Sequence, residues 1–252
     1  MGALWSARRT RKALIWAAAR LGRVQTEDSR TTSYTTLAAG PGYRHELEIK
    51  RSRFITVLRR SGTEEEAREL VAGLRREFHD ARHHCSAFVL GPDRTIQRSS
   101  DDGEPAGTAG IPMLEALLKR ETAPGVTDLS DISAVVVRYF GGVLLGAGGL
   151  VRAYSESVSA SLELAPLIRR SRLRICSTAV PHAGAGRLEN DLRAAGLVMA
   201  ETTYEDRLTV LRVAVPDHAE VIAAATERIQ QLTAGAAALA PEGTEWIDEQ
   251  VA

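Results

Sequence analysis

Between residues 45 and 59 polar and apolar positions alternate with the period of a half-buried strand. HELEIK (45–50) and RFITVLR (53–59) predict a hairpin with Lys50 to Arg53 at its junction. The period then changes to that of a helix. After Thr63 as N-cap and three glutamates in the first turn, Ala67, Leu70, Val71, Leu74 and Phe78 fall on one face. HHCSAFVLG (83–91) predicts a buried strand and TIQRSS (95–100) a shorter one after the turn GPDRT. Residues 109–120 predict a helix with Met113, Leu114, Leu117 and Leu118 on one side and Pro112 in its first turn. ISAVVVRY (132–139) is the most β-like run, and 150–164 predicts the longest helix of this half.

After Pro166 the texture changes. Strand 173–180, helix 185–196, strands 197–206 and 207–215, a helix capped by Asp217, and a strand within 236–249 follow in turn. That order, β-α-β-β-α-β, is ferredoxin-like. It predicts an α+β chain in three parts: an extension at 1–42, a domain at 43–166 and a second domain at 167–252. Residues 31–42, rich in Thr, Ser, Ala and Gly, read as a loop, and the extension as disordered or partly helical.

Two stretches have no period. RSSDDGEPAGTAGIP (98–112) and the GG and GAGG of 135–154 hold most of the nine glycines between Gly103 and Gly149, out of 21 in the chain. Strand, Gly141-Gly142, Gly146 to Gly149, then helix is a turn delivering free amides to an anion, with Arg138 and Arg152 adding charge. A purely structural tight turn fits the same residues. No Lys-Ser/Thr follows the glycines, and their spacing is not that of a dinucleotide fold, so the phosphate-loop and Rossmann readings fall away. Asp101, Asp102 and Glu104 are spaced for acid/base or Mg²⁺ work, but Asp-Asp-Gly is also ordinary turn chemistry. His83, His84 and Cys85 alternate sides on a strand and cannot chelate one ion together.

Formal net charge is zero, so there is no long-range field to draw in nucleic acid, and any such surface must be a local patch. Residues 1–40 carry seven basic side chains against two acids, so the basic excess sits in the extension. Cys85 and Cys176, far apart, imply neither a disulfide framework nor a paired-Cys zinc site. The apolar run ALIWAAA (13–19) is too short to span a bilayer and only faintly imitates a secretory signal.

The HHCSAF strand, RSSDDGEPAGTAGIPML and VRYFGGVLLGAGGLVRAYS resemble the signature blocks of the YigZ/IMPACT family over residues 43–166. The resemblance implies a first domain like the second domain of the small-subunit ribosomal protein five, with helices on one face of a mixed sheet. It implies a C-terminal domain like those ending elongation factor G, and a cytoplasmic setting. The function implied is a non-catalytic, translation-associated regulatory or RNA- or ribosome-binding protein, with no catalytic residue, metal or cofactor and no membrane partner. The binding residues expected are Arg98, Asp101, Asp102, Glu104, Arg138, Gly141, Gly142, Gly148, Gly149 and Arg152, on two loops folded into one concave patch. The alternative is an enzyme acting on a phosphorylated small molecule or nucleotide at the Gly-rich loop.

Overall fold

The computed structural model describes residues 31–249. The readings of the basic extension that fall on residues 1–30, the signal-like run included, lie outside them. The described chain divides into two units, 31–169 and 170–249.

In the first unit a five-stranded sheet has the order β2-β3-β6-β4-β5, from β2 (Tyr43–Ile49), β3 (Ser52–Arg60), β4 (His83–Leu90), β5 (Ile96–Ser100) and β6 (Ile132–Tyr139). Every pairing within it is antiparallel, so the mixed sheet implied by the resemblance is corrected. So is the single helical face. Alternation along β3 and β6 sends Phe54, Leu58, Ala134 and Val136 to one side, where α2 (Gly110–Lys119) and α3 (Ala147–Leu164) cover them with Met113, Leu117, Tyr154 and Val158. Ile55, Val57, Val135 and Val137 face the other way and are covered by Leu70 and Leu74 of α1 (Glu64–Glu77). A strand apolar on both faces needs a roof on both. Thr63 caps α1 as expected, accepting from Glu66 N–H at 3.2 Å, while Glu66 Oε2 accepts from Gly62 N–H at 2.6 Å.

Residues 33–37 are not loop. They form β1 (Ser33–Leu37), with Tyr34, Thr36 and Leu37 buried. β-Branched threonines favour extended backbone, and the Tyr34 hydroxyl is held by the Asp131 carboxylate. Helix α3 begins three residues before the expected start, taking Gly148 and Gly149 into its first turn.

The second unit is built on β7 (Leu167–Pro181), whose first residues lie in the first unit. There follow α4 (His182–Ala194), β8 (Val198–Tyr204), β9 (Leu208–Pro216), α5 (Ala219–Leu232) and β10 (Ala240–Glu249). The strand order β10-β7-β9-β8, antiparallel from β7 through β9 to β8, is the ferredoxin-like one. Asp217 does not cap α5: the N-cap is His218, and Asp217 instead lies 2.6 Å from Arg172 Nε as an ion pair and accepts from Arg174 Nε at 3.0 Å. Two charge-assisted contacts outbid one backbone amide for the same buried carboxylate.

Candidate functional site

The expected site lies in the first unit, at the end of the sheet where β6 finishes. There the three carboxylates of the first glycine block face different ways. Asp101 accepts from the backbone N–H groups of Gly107 (2.8 Å), Ala109 (3.0 Å) and Gly110 (2.8 Å), tying the loop to the start of α2. Burial alone raises its pKa, but the three amide donors outweigh it and hold the carboxyl below its usual range. Asp102 accepts from His84 N–H at 2.6 Å and Arg75 Nη2 at 2.5 Å, and its carbonyl accepts from His83 Nδ1 at 2.9 Å. Glu104 points inward and is buried. Acid/base work on a shared substrate would need these groups to converge, and they do not.

Glu104 is where the two glycine blocks meet. Arg138 Nη1 donates to Glu104 Oε1 at 2.5 Å, and the Tyr154 hydroxyl donates to the same oxygen at 2.8 Å. Arg138 is only 6% exposed. Its guanidinium carbon lies 5.5 Å from the Phe54 ring centroid and 5.8 Å from that of Phe140. Arg138 therefore closes the domain from within, which corrects its placement on a phosphate-facing surface. The expected open patch of mixed acids and arginines is corrected with it: the blocks do touch, but through groups sealed beneath their neighbours.

Cys85 extends this cluster, its thiol bonded to the Asp101 carbonyl at 3.0 Å and the Tyr154 hydroxyl at 3.3 Å. Burial pushes the thiol pKa up to about 12, so it stays protonated and is no nucleophile. Burial likewise raises Tyr154 and lowers His84, which is kept neutral. Among the described residues no three His, Cys, Asp or Glu side chains gather as a metal site.

What remains outward is the second glycine block. Gly141 passes so close to the β2–β3 turn that a Cβ there would sit 2.0 Å from the Arg51 carbonyl, and its N–H donates to Ser52 Oγ at 3.2 Å. Gly142 and Gly146 adopt φ of 82° and 71°, steering the chain into α3, whose N-cap Gly146 offers no capping side chain. No acid occupies the first turn of α3. Gly142, Gly148 and Arg152 are exposed and Gly149 half-buried. Along this rim Phe140 is 52% and Leu144 84% exposed. Arg98 is exposed too, but on β5, its guanidinium 3.9 Å from Glu64.

Lys50, Arg51 and Phe140 join the exposed rim as well, although no local periodicity marks them as site residues. Both cations are exposed at the tip that touches Gly141, and neither has an ion pair among the described residues. The available signal was a two-residue turn written Lys-Arg where hairpins favour Asn-Gly.

The sequence model described as "Impact N-terminal domain" matches residues 50–162, and one described as a domain of unknown function, DUF1949, matches 178–236. "IMPACT family member YvyE" of Bacillus subtilis (strain 168) is 44% identical over 164 residues, 65% of this chain and 72% of that protein. "IMPACT family member YigZ" of Escherichia coli (strain K12) is 49% identical over 128 residues, 50% of this chain and 59% of that protein. A solved structure titled "Crystal structure of an hypothetical protein" is 36% identical, covers 83% of this chain and 97% of its own, and superposes with a TM-score of 0.55. With the glycine blocks, the two-unit α+β fold and these relatives in agreement, the chain belongs to the IMPACT family.

Proposed function

We propose that this protein is a non-catalytic, RNA- or ribosome-binding regulator working beside the translation apparatus in the cytoplasm. The observation that carries the reading is the division of labour between the two glycine blocks. Asp101, Asp102, Glu104 and Arg138 are all engaged within the fold, while the segment from Phe140 to Arg152 turns bare glycine backbone, an uncapped helix start and a cation to solvent. A helix N-terminus without acids of its own, beside an arginine, favours an anionic partner, of which a nucleic-acid phosphate backbone is one. The resemblance to a family of translational regulators and the elongation-factor-like second unit support the same direction. Among the described residues no helix is long and apolar enough to cross a membrane. The alternative of an enzyme at the Gly-rich loop gains nothing from the geometry, since the groups suited to acid/base work are internally paired.

Co-sedimentation with ribosomes and filter binding to total RNA test this directly. Association at low salt should weaken steeply as salt rises. Arg152→Ala should flatten the log–log slope by about 0.7–0.9 if it contacts one phosphate. Absence of binding at low salt, or an unchanged slope, counts against the reading.

A further inference from the structure

Three features coincide at one corner of the first unit. The Arg138 guanidinium lies over both the Phe54 and the Phe140 rings, so the Phe140 ring is braced by a buried cation, which is itself fixed by Glu104. Yet Phe140 remains 52% exposed, a flat aromatic surface with a rigid backing. Beside it, the β2–β3 turn is held against the neighbouring residue Gly141.

That turn has an unusual backbone for its sequence. Ile49 pairs with Ser52, leaving a two-residue loop in which Lys50 and Arg51 adopt φ of 49° and 66°. Positive φ at both positions is the type I′ geometry that Asn-Gly adopts with least strain. Lys and Arg there carry a conformational cost. Their charge is not used inside the fold. Nearby Glu46 is bridged to Arg53 at 2.8 Å, and Glu48 stands opposite Arg53 in the ladder, so the acids of this hairpin already have a cation. Lys50 and Arg51 are left as a strained, uncompensated pair next to an open aromatic ring.

We infer that Phe140, Lys50 and Arg51 form a site for single-stranded RNA, in which an unpaired base stacks on Phe140 and the flanking phosphates lie against the two hairpin-tip cations. The inference rests on the RNA-binding reading above and specifies the form of RNA. Stacking requires a base free of its partner, because a duplex presents only its outer edges and phosphates to a ring on a protein surface. The pairing of one ring with adjacent cations is the recurring device for strands bound through their backbone and base faces. Arg138 takes no part in contacting RNA. It positions the ring.

The experiment measures fluorescence anisotropy of a labelled U12 strand and of a labelled 12-base-pair RNA duplex with the full chain. Wild type should prefer the single strand. Phe140→Ala should weaken U12 binding about tenfold with the salt slope unchanged, and Phe140→Trp should restore it. Lys50→Asn with Arg51→Gly should flatten the slope by about 1.4. Because it suits the turn, the same double change should raise the melting temperature by about 2–4 °C, so lost binding cannot be lost folding. Equal affinity for strand and duplex, with Phe140→Ala silent, overturns this inference while leaving RNA binding in place. A wild-type chain that binds neither probe at low salt removes the RNA-binding reading itself.

Discussion

Arg138 and Glu104, 34 residues apart in sequence, meet at 2.5 Å with side chains 7% and 4% exposed. Such a pair has little solvent to screen it, and losing one partner strands the other charge. Glu104→Gln should therefore lower unfolding stability by about 3–5 kcal/mol, whereas Glu104→Leu combined with Arg138→Met should recover most of that loss. Urea titration of the three proteins reads this. A double variant destabilised as much as Glu104→Gln, or more, would mean the two groups are not coupled.

Gly141 should tolerate no side chain. A Cβ would fall 2.0 Å from both the carbon and the oxygen of the Arg51 carbonyl and 2.4 Å from Ser52 N, all backbone atoms with no rotamer to yield. Gly141→Ala should cost about 3 kcal/mol, the upper end for overpacking. Gly142→Ala meets no neighbour but carries φ of 82°, so a smaller loss from backbone strain alone is expected. Equal urea midpoints for Gly141→Ala and wild type would show that the turn and the loop are not in contact.

Asp101 gives a pH signature. Its folded pKa lies below the unfolded value near 3.9, so the stability it contributes is complete above that value and fades as pH falls through the folded pKa. The stability gap between wild type and Asp101→Asn should stay constant from pH 7 to about 5 and narrow below about pH 4. A gap that widened on acidification would have the wrong sign.

Neither cysteine should react in the native protein. Both are buried, and with its pKa pushed up to about 12 Cys85 holds only ~10⁻⁴ of its population as thiolate at pH 8. Titration with a thiol reagent should find none in minutes under native conditions and two after denaturation. Rapid native labelling of Cys85 would contradict its place beneath Tyr154.

Local periodicity carried the fold a long way. Alternation in 45–59, the Thr63 cap and the β-α-β-β-α-β order after Pro166 were all legible, because each depends on neighbours within a few residues. What was not legible depends on distant partners. Asp217 looks like a cap until Arg172 and Arg174 claim it. The SYTTL segment looks like loop until the Asp131 carboxylate takes the Tyr34 hydroxyl. The candidate site failed in the same way. Composition marked the glycine blocks, but nothing local says that Arg138 turns inward to Glu104 while Phe140, two residues on, turns outward. Lys50 and Arg51 were read as a strand junction, since their charge matters only once Gly141 brings the second block against them.

RNA is expected on the outward face of the second glycine block. Ultraviolet cross-linking of the full chain to U12, with the modified peptides identified by mass spectrometry, tests it most directly. Adducts should concentrate on Phe140 and on the peptide carrying Lys50 and Arg51. Cross-links confined to residues 170–249, or scattered without preference over the surface, would contradict it.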